Sequence, residues 1–476
     1  VQNNIKVENN ILFWERVKYF NIEEIEKILT NNELLSGNFG LEKEGLRVTK
    51  DGNLSLTPHP EVFGDKLKNP YITTDFSESQ IEIVTPSFNT LNEVYQFLSF
   101  ISDLVNINIP NNEYIWNQSL PCIIPDDSKI PIAKYSKEGK DAYEYRKNLS
   151  KKYGRKLQLI SGIHYNFSFD EKVIEKLYKN ISHDLSYKNF KNQLYLKIVR
   201  NYLRYKWLII YLTGTSIACH ETFIEKCYNL MNKKDNYDSY YGTKAVSYRN
   251  ASCGYKNKTP LYPRYTSVDE FIRDVKDFIN KGLLSESKEL YTQIRLKPHD
   301  RNNFLKSLKE DGIQYIEIRT IDINPFDKCG ISMEDMEFIH IFLLYLLLKE
   351  ESTYDKWQEE SLINEENTAE NAFNTNLKLL NDGCEVSLKN WAFNIINEIK
   401  QINTRLDLGK DEIIHTMQER IENPKKTHAY KLRNIIKNKG YINSQLSIAK
   451  NNKQTSEDIF IMEHIMKNEK LLKYYN

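Results

Sequence analysis

YITTDFSESQIEIVTP, residues 71–86, alternates polar and apolar side chains from position 79 onward and so reads as a strand over 79–85. Gln80, Glu82 and Val84 fall on one face, and Ile81 and Ile83 on the other. Asp75 and Glu78 precede it in a Thr- and Ser-rich stretch that suggests a turn, folding their carboxylates back toward Glu82. Carboxylates held together repel, so one of them takes up a proton or a cation sits among them. A second acidic segment, FGLEKEGLRVT at 39–49, favours the cation: Glu42 and Glu44 share a strand face while Lys43 and Arg47 face away. If the two strands lie side by side, four or five oxygen donors converge, a set that suits a hard divalent ion such as Mg²⁺ or Mn²⁺.

The rest of the chain is arranged around these two strands. A third strand is expected at 157–169, with His164 among polar neighbours on one face and Leu159, Ile163, Tyr165, Phe167 and Phe169 on the other. Two more are expected at 290–297, presenting Tyr291, Gln293, Arg295 and Lys297, and at 315–323, presenting Glu317 and Arg319. Helical spacing occupies 11–36 (with Leu12, Phe13 and Val17 in its apolar stripe), 91–109, 171–235 and 268–282, and nearly everything after 332. Residues 110–138, with four prolines, read as an irregular connection, and 245–260 as a loop carrying Arg249 and Tyr255. A sheet with one helix-packed face and one ionisable face is an open binding surface or the inside of a funnel. A catalytic unit over 1–330 and a helical C-terminal region over 331–476 are the expected division.

At 476 residues, core size is not limiting, and 66 basic against 65 acidic residues give a net charge of +1. No bulk field therefore draws the chain to nucleic acid or anionic lipid, which excludes a basic-stripe nuclease and makes any anion site local. The longest apolar runs, at 207–213 and 338–348, fall well short of the roughly 20 residues of a membrane span. The first twenty residues carry early charges and no long apolar core, so no signal peptide is expected there. Six cysteines with no CxxC pair read as reduced thiols, and the whole as a cytoplasmic protein.

Glu42, Glu44, Asp75, Glu82, His164 and Glu317 are together candidates for two or three divalent ions. Any one of them alone reads more simply as part of a solvated strand face. Arg146, Arg249, Arg295, Lys297 and Arg319 add converging cations, and metal plus guanidinium is how proteins hold a polyphosphate. No GxxxxGK[ST] loop is present, so the nucleotide would not sit on a P-loop. Cys219, His220 and Glu221 with Cys227 match no zinc-finger or ribbon spacing and read as a helix end. No Ser/His/Asp or Cys/His nucleophile arrangement stands out.

Four motifs in order, GLEKEGLRV, ITTDFSESQIEIVTP, YRKNLSKKYGRKLQLISGIHYNFSF and YIEIRTIDINPF, resemble those of the bacterial glutamate-cysteine ligases (γ-glutamylcysteine synthetases) over roughly residues 35–330. The resemblance implies an α+β fold with a glutamine-synthetase-like core, its antiparallel sheet curved into a funnel and surrounded by helices. It also implies Mg²⁺- and ATP-dependent ligation of the L-glutamate γ-carboxylate to the amine of L-cysteine through a γ-glutamyl phosphate, the first step of glutathione biosynthesis. By motif match, Glu42, Glu44, Asp75, Glu82, His164 and Glu317 fall at metal ligands. Tyr145, Leu149, Gln158, Tyr255 and Tyr291 fall at the cysteine pocket. Arg146, Arg249 and Arg319 fall at active-site guanidiniums, with Arg249 and Arg319 catalytic and Arg295, Lys297 and Arg319 expected along the nucleotide. A monomer is expected, with small-molecule partners only. A sibling ligase using another small amine, and a non-catalytic nucleotide or amino-acid sensor, are the alternatives. Some relatives carry a fused second ligase domain of the ATP-grasp type, and none is expected within the tail read here.

Overall fold

The computed structural model describes residues 20–181 and 184–472. Positions 11–19, the first part of the expected 11–36 helix, lie outside them. Strand β1 (Gly37–Thr49) is the one to which the sheet attaches. β2 (Ile72–Thr74) pairs with β3 (Gln80–Val84), which pairs with β1; β4 (Glu113–Trp116) joins the far half of β1, and β5 (Ile163–Phe169) takes its other edge. A separate small sheet is built from β6 (Ala218–His220), β7 (Lys233–Lys234) and β8 (Ser239–Tyr241). β9 (Ile294–Lys297) and β10 (Tyr315–Ile321) complete the main sheet in the order β2-β3-β1-β5-β10-β9, every ladder antiparallel. β11 (Lys378–Asn381) and β12 (Cys384–Ser387) form a hairpin among the later helices.

The apolar face of this sheet is roofed by helices. Helix Met333–Leu348 is apolar nearly all round and buried, the pattern of a helix with protein on every side. Its His340 ring packs 4.8 Å from Phe39 of β1 and 5.4 Å from Phe167 of β5. Helix Tyr187–Thr213 lies against β10, where the Tyr202 hydroxyl donates to Thr320 Oγ1 at 3.0 Å. Each large aliphatic side chain buried at such a seam contributes about 1.5–3 kcal/mol. That pins the sheet's back and leaves its front to the ionisable residues.

Several sequence expectations need correction. Residues 157–159 form a 3₁₀ turn, and β5 begins only at Ile163, so Gln158 lies on the turn leading into the strand. Tyr291 and Gln293 likewise precede β9, behind a 3₁₀ turn at Ser287–Glu289. Helix Tyr187–Thr213 ends at Gly214, and 218–241 form the small sheet where a long helix was expected; the Cys219–His220 step is therefore on a strand. β2 and β4 were missed because three or four residues are too few for a period to register. Glu78 does not join Asp75 and Glu82. It accepts from the backbone N of His59 (2.8 Å) and pairs with Lys66 at 2.6 Å.

The expectation of reduced thiols is corrected at one pair: Cys227 and Cys253, 26 residues apart, form a disulfide. Residues 227 and 253 meet because the loop after 248 folds back onto the short helix Glu225–Tyr228, where Lys226 Nζ donates to Ser252 O at 2.6 Å. Loop-closure entropy over such a span is worth about 3 kcal/mol. Replacing both cysteines by alanine should therefore lower the unfolding free energy by about that much. Denaturant titrations with and without reductant check it: reductant should shift the wild type and leave the double variant unmoved.

Candidate functional site

The register of the main sheet brings the expected acids together. Glu44 of β1 stands opposite Glu82 of β3, and Glu42 opposite His164 of β5. One strand further on, Glu317 of β10 stands opposite Asn166 of β5 on one side and Arg295 of β9 on the other. Period-two alternation puts all of these on the face away from the helices.

The side chains converge. His164 Nδ1 lies 2.9 Å from Glu42 Oε2 and its Nε2 3.6 Å from Glu44 Oε1. Asn166 Nδ2 donates to Glu42 Oε1 at 3.2 Å, and the Gly162 backbone N to Glu44 Oε2 at 2.7 Å, so both carboxylates are held in place. Ligating atoms of Glu42, Glu82 and His164 all lie within 4.8 Å of one another. Glu44, Asp75 and Glu317 line the same cavity of about 530 Å³.

Electrostatics divide this face into two ends. At the acidic end, burial and then the charges of Asp75, Glu42 and Glu44 push the Glu82 carboxyl well above its usual range, and burial raises Glu44. Glu42 is nevertheless held at about 2, because the His164 hydrogen bond and Lys297 outweigh its burial and the Glu317 charge. At the other end Glu317 pairs with Lys297 and, at 3.1 Å, with Arg319; these cations hold it well below its usual range despite burial. Crowded, desolvated carboxylates together with an imidazole fit a divalent cation, which would offset the burial and like charge that raise the proton affinity of Glu82 and Glu44.

The remaining expected residues border the same cavity. Arg146, on helix Lys140–Tyr153, donates through Nε to the Asp75 carbonyl at 2.5 Å and lies 4.9 Å over the Tyr135 ring. Tyr145 and Leu149 are on the same helix. The Tyr255 hydroxyl donates to Gln158 Oε1 at 2.7 Å and lies 2.5 Å from that of Tyr291, forming one wall. Burial pushes the Tyr145 phenol up to about 12 and that of Tyr255 higher still, so these hydroxyls stay protonated. Arg249 lies flat on Gly162, where an added Cβ would come within 2.2 Å of Nη2.

Sequence reading missed part of the cavity. Arg301, on the loop after β9, sits 5.7 Å over the Tyr315 ring and lines it. Buried Lys206 and Glu365 cluster with half-buried Lys256, Glu365 accepting from Lys206 Nζ at 2.5 Å and Lys256 Nζ at 2.9 Å. A lysine at 206, directly before the apolar run 207–213, was the readable signal for that cluster. The Cys219–Cys227 region contributes no metal group among the described residues, since Cys227 is spent in the disulfide.

Comparison with known proteins agrees with this geometry. The family model described as glutamate-cysteine ligase matches residues 22–282 and 276–370. The glutathione biosynthesis bifunctional protein GshAB of Clostridium perfringens is 44% identical over 422 residues, covering 87% of this chain and 54% of that protein. GshAB of Listeria monocytogenes serotype 4b is 39% identical over 435 residues, covering 89% and 55%. This chain thus spans about half the length of those relatives. The glutamate–cysteine ligase of Clostridium acetobutylicum is 35% identical over 458 residues, covering 88% of this chain and 94% of that protein. Among solved structures, glutamate–cysteine ligase of Francisella tularensis in complex with AMP superposes with a TM-score of 0.81 at 28% identity, covering 88% of this chain and 89% of that one. The antiparallel sheet, the ordered motifs and these matches have one reading: the chain belongs to the glutamate-cysteine ligase family.

Proposed function

We propose that the chain joins the γ-carboxylate of L-glutamate to the amine of L-cysteine at the expense of ATP, through a γ-glutamyl phosphate, making γ-glutamylcysteine for glutathione. The observation that carries this is the graded sheet face: Glu42, Glu44, Glu82 and His164 at one end and Arg295, Lys297 and Arg319 at the other, lining one cavity. The names of the relatives support it, and no observation favours another amine acceptor or a sensor.

Amide formation in water needs an activated acid, and bringing ATP's phosphates to a carboxylate brings negative charges together. Glu42, Glu82 and His164, with Glu44, Asp75 and Glu317 beside them, would hold Mg²⁺ or Mn²⁺. When bound, such an ion neutralises phosphate oxygens and aligns them. Arg319 and Lys297 are placed to take up charge spreading over the transferred phosphoryl group, with Arg295 beside them. Arg249, with its fork in the cavity, is placed to hold a substrate carboxylate and keep the acyl phosphate near the amine, so that attack becomes effectively unimolecular. Tyr255, Tyr291, Gln158, Tyr145 and Leu149 form a part-apolar wall suited to a small side chain.

The test is a product assay with the purified chain. ADP and γ-glutamylcysteine should form in equal amounts, only when ATP, a divalent ion, glutamate and cysteine are all present. ADP release without the dipeptide, or a strong preference for a non-thiol amine, would contradict the proposal.

A further inference from the structure

We propose that Asp322 is the positioning residue for Arg249, and that β10 thereby sets Arg249 as well as its own Arg319; this rests on the ligase reading above. Arg319 reaches the cavity from within β10, and Asp322 follows directly after the strand's last residue. Asp322 is 2% exposed and is not among the cavity's lining residues, so it touches no substrate.

Its carboxylate is fully engaged by two other segments. Oδ2 accepts from the backbone N of Thr215 (2.9 Å), the backbone N of Ser216 (2.8 Å) and Ser216 Oγ (2.7 Å). Oδ1 accepts from Ser247 Oγ at 3.0 Å. The Ser216 hydroxyl in turn accepts from the Arg249 backbone N at 3.1 Å, and Asn250 Nδ2 donates to Ser247 Oγ at 2.8 Å and to the Thr320 carbonyl at 2.9 Å. Residues 247–250 are therefore fastened to the end of β10 through one buried carboxylate. A charged acceptor taking two backbone N–H groups and two hydroxyls is a strong and directional anchor. Backbone bonds from Tyr248 N to the Ser216 carbonyl (2.6 Å) and from Val246 N to the Ala369 carbonyl (2.9 Å) hold the same stretch, and Asp322 is the charged acceptor that ties it to β10.

The same carboxylate supplies charge. Burial works against the Arg249 guanidinium, Asp322 is the foremost charge that opposes this, and Glu44 is the next. Arg249 is thus held between a carboxylate behind it and the acidic end of the cavity in front, flat on Gly162.

Two variants of the full chain test the proposal. Asp322→Asn keeps the shape and most of the hydrogen bonds but removes the charge. Ser216→Ala removes only the hydroxyl that passes the anchor to Arg249. Both should raise the KM of the amino-acid substrate held by Arg249 about tenfold, leave the KM of ATP within about twofold, and add little to the loss seen with Arg249→Lys, as groups acting as one unit do. Losses that multiply with those of Arg249→Lys, or kcat falling with every KM unchanged, would overturn it. If the wild type makes no γ-glutamyl product, the ligase reading fails, and a crystal structure of Asp322→Asn then decides this inference separately. A guanidinium moved off Gly162 supports it, and one left in place refutes it.

Discussion

Alanine at position 319 is expected to lower kcat by about three orders of magnitude while changing the KM of ATP little, because guanidiniums that meet a transferring phosphoryl group act mainly in the transition state. Half-buried Arg319 pairs with Glu317 at 3.1 Å, and the acids around it keep its charge firmly in place. Removing it also leaves Glu317 with Lys297 as its remaining paired cation. Arg319→Lys should recover only a small part of the loss, since an ammonium lacks the planar fork. Steady-state kinetics of the two variants check this, and a fall of less than about tenfold for the alanine variant would remove Arg319 from the phosphoryl path.

The second large effect is expected at a residue with no side chain. Gly162 leads into β5, and a Cβ there would meet Arg249 at 2.2 Å from Nη2, 2.6 Å from Cζ and 2.7 Å from Nε. The clash is with the far end of a flexible side chain, so Gly162→Ala should fold with a thermal midpoint near that of the wild type. Its guanidinium must still move by an ångström or more, a displacement that typically costs about 100-fold in turnover. Circular dichroism melts beside kinetics separate the two: a normal melt with crippled turnover is expected, and near-normal turnover would show that the position of Arg249 is unimportant.

The legible part of this protein was its strands with ionisable faces. Glu42 and Glu44 two apart, Glu82 in an Ile-flanked alternation and Glu317 two before Arg319 each carry a period-two signal that survives without any partner. What brings them together is register, Glu44 opposite Glu82 and Glu42 opposite His164, and register is a long-range property that no single segment encodes. The same limit explains the misses. Glu78 lies three residues after Asp75, yet Ser77, which donates to the Pro131 carbonyl at 2.6 Å, and Lys66 turn it to the other side. Cys227 and Cys253 meet through a loop held by Asp322 at Ser247 and by Glu370, which accepts from the Ser252 backbone N at 2.8 Å, and their spacing alone gave no sign of it. Arg301 sits in a loop where one arginine looks like any other.

The claim at the centre is that the acidic end of the sheet is a divalent-cation site, and its pH dependence tests that most directly. Glu82 and Glu44 have folded-state affinities for protons raised above the usual 4.5, so their folded forms bind protons that the unfolded chain has already lost. Stability from these two groups is therefore full below pH 4.5 and lost as pH rises through the raised values. Glu42 and Glu317 are shifted the other way, and their contribution is lost only as pH falls below 4.5. The measurement is the thermal midpoint from pH 5 upward, in chelator and in excess Mg²⁺ or Mn²⁺, for the wild type and Glu82→Gln. The account predicts a metal-free midpoint that declines with pH, a metal-induced rise that grows over the same window, and a Glu82→Gln variant in which both are much reduced. A midpoint indifferent to metal at every pH, with Glu82→Gln behaving as the wild type, would contradict it.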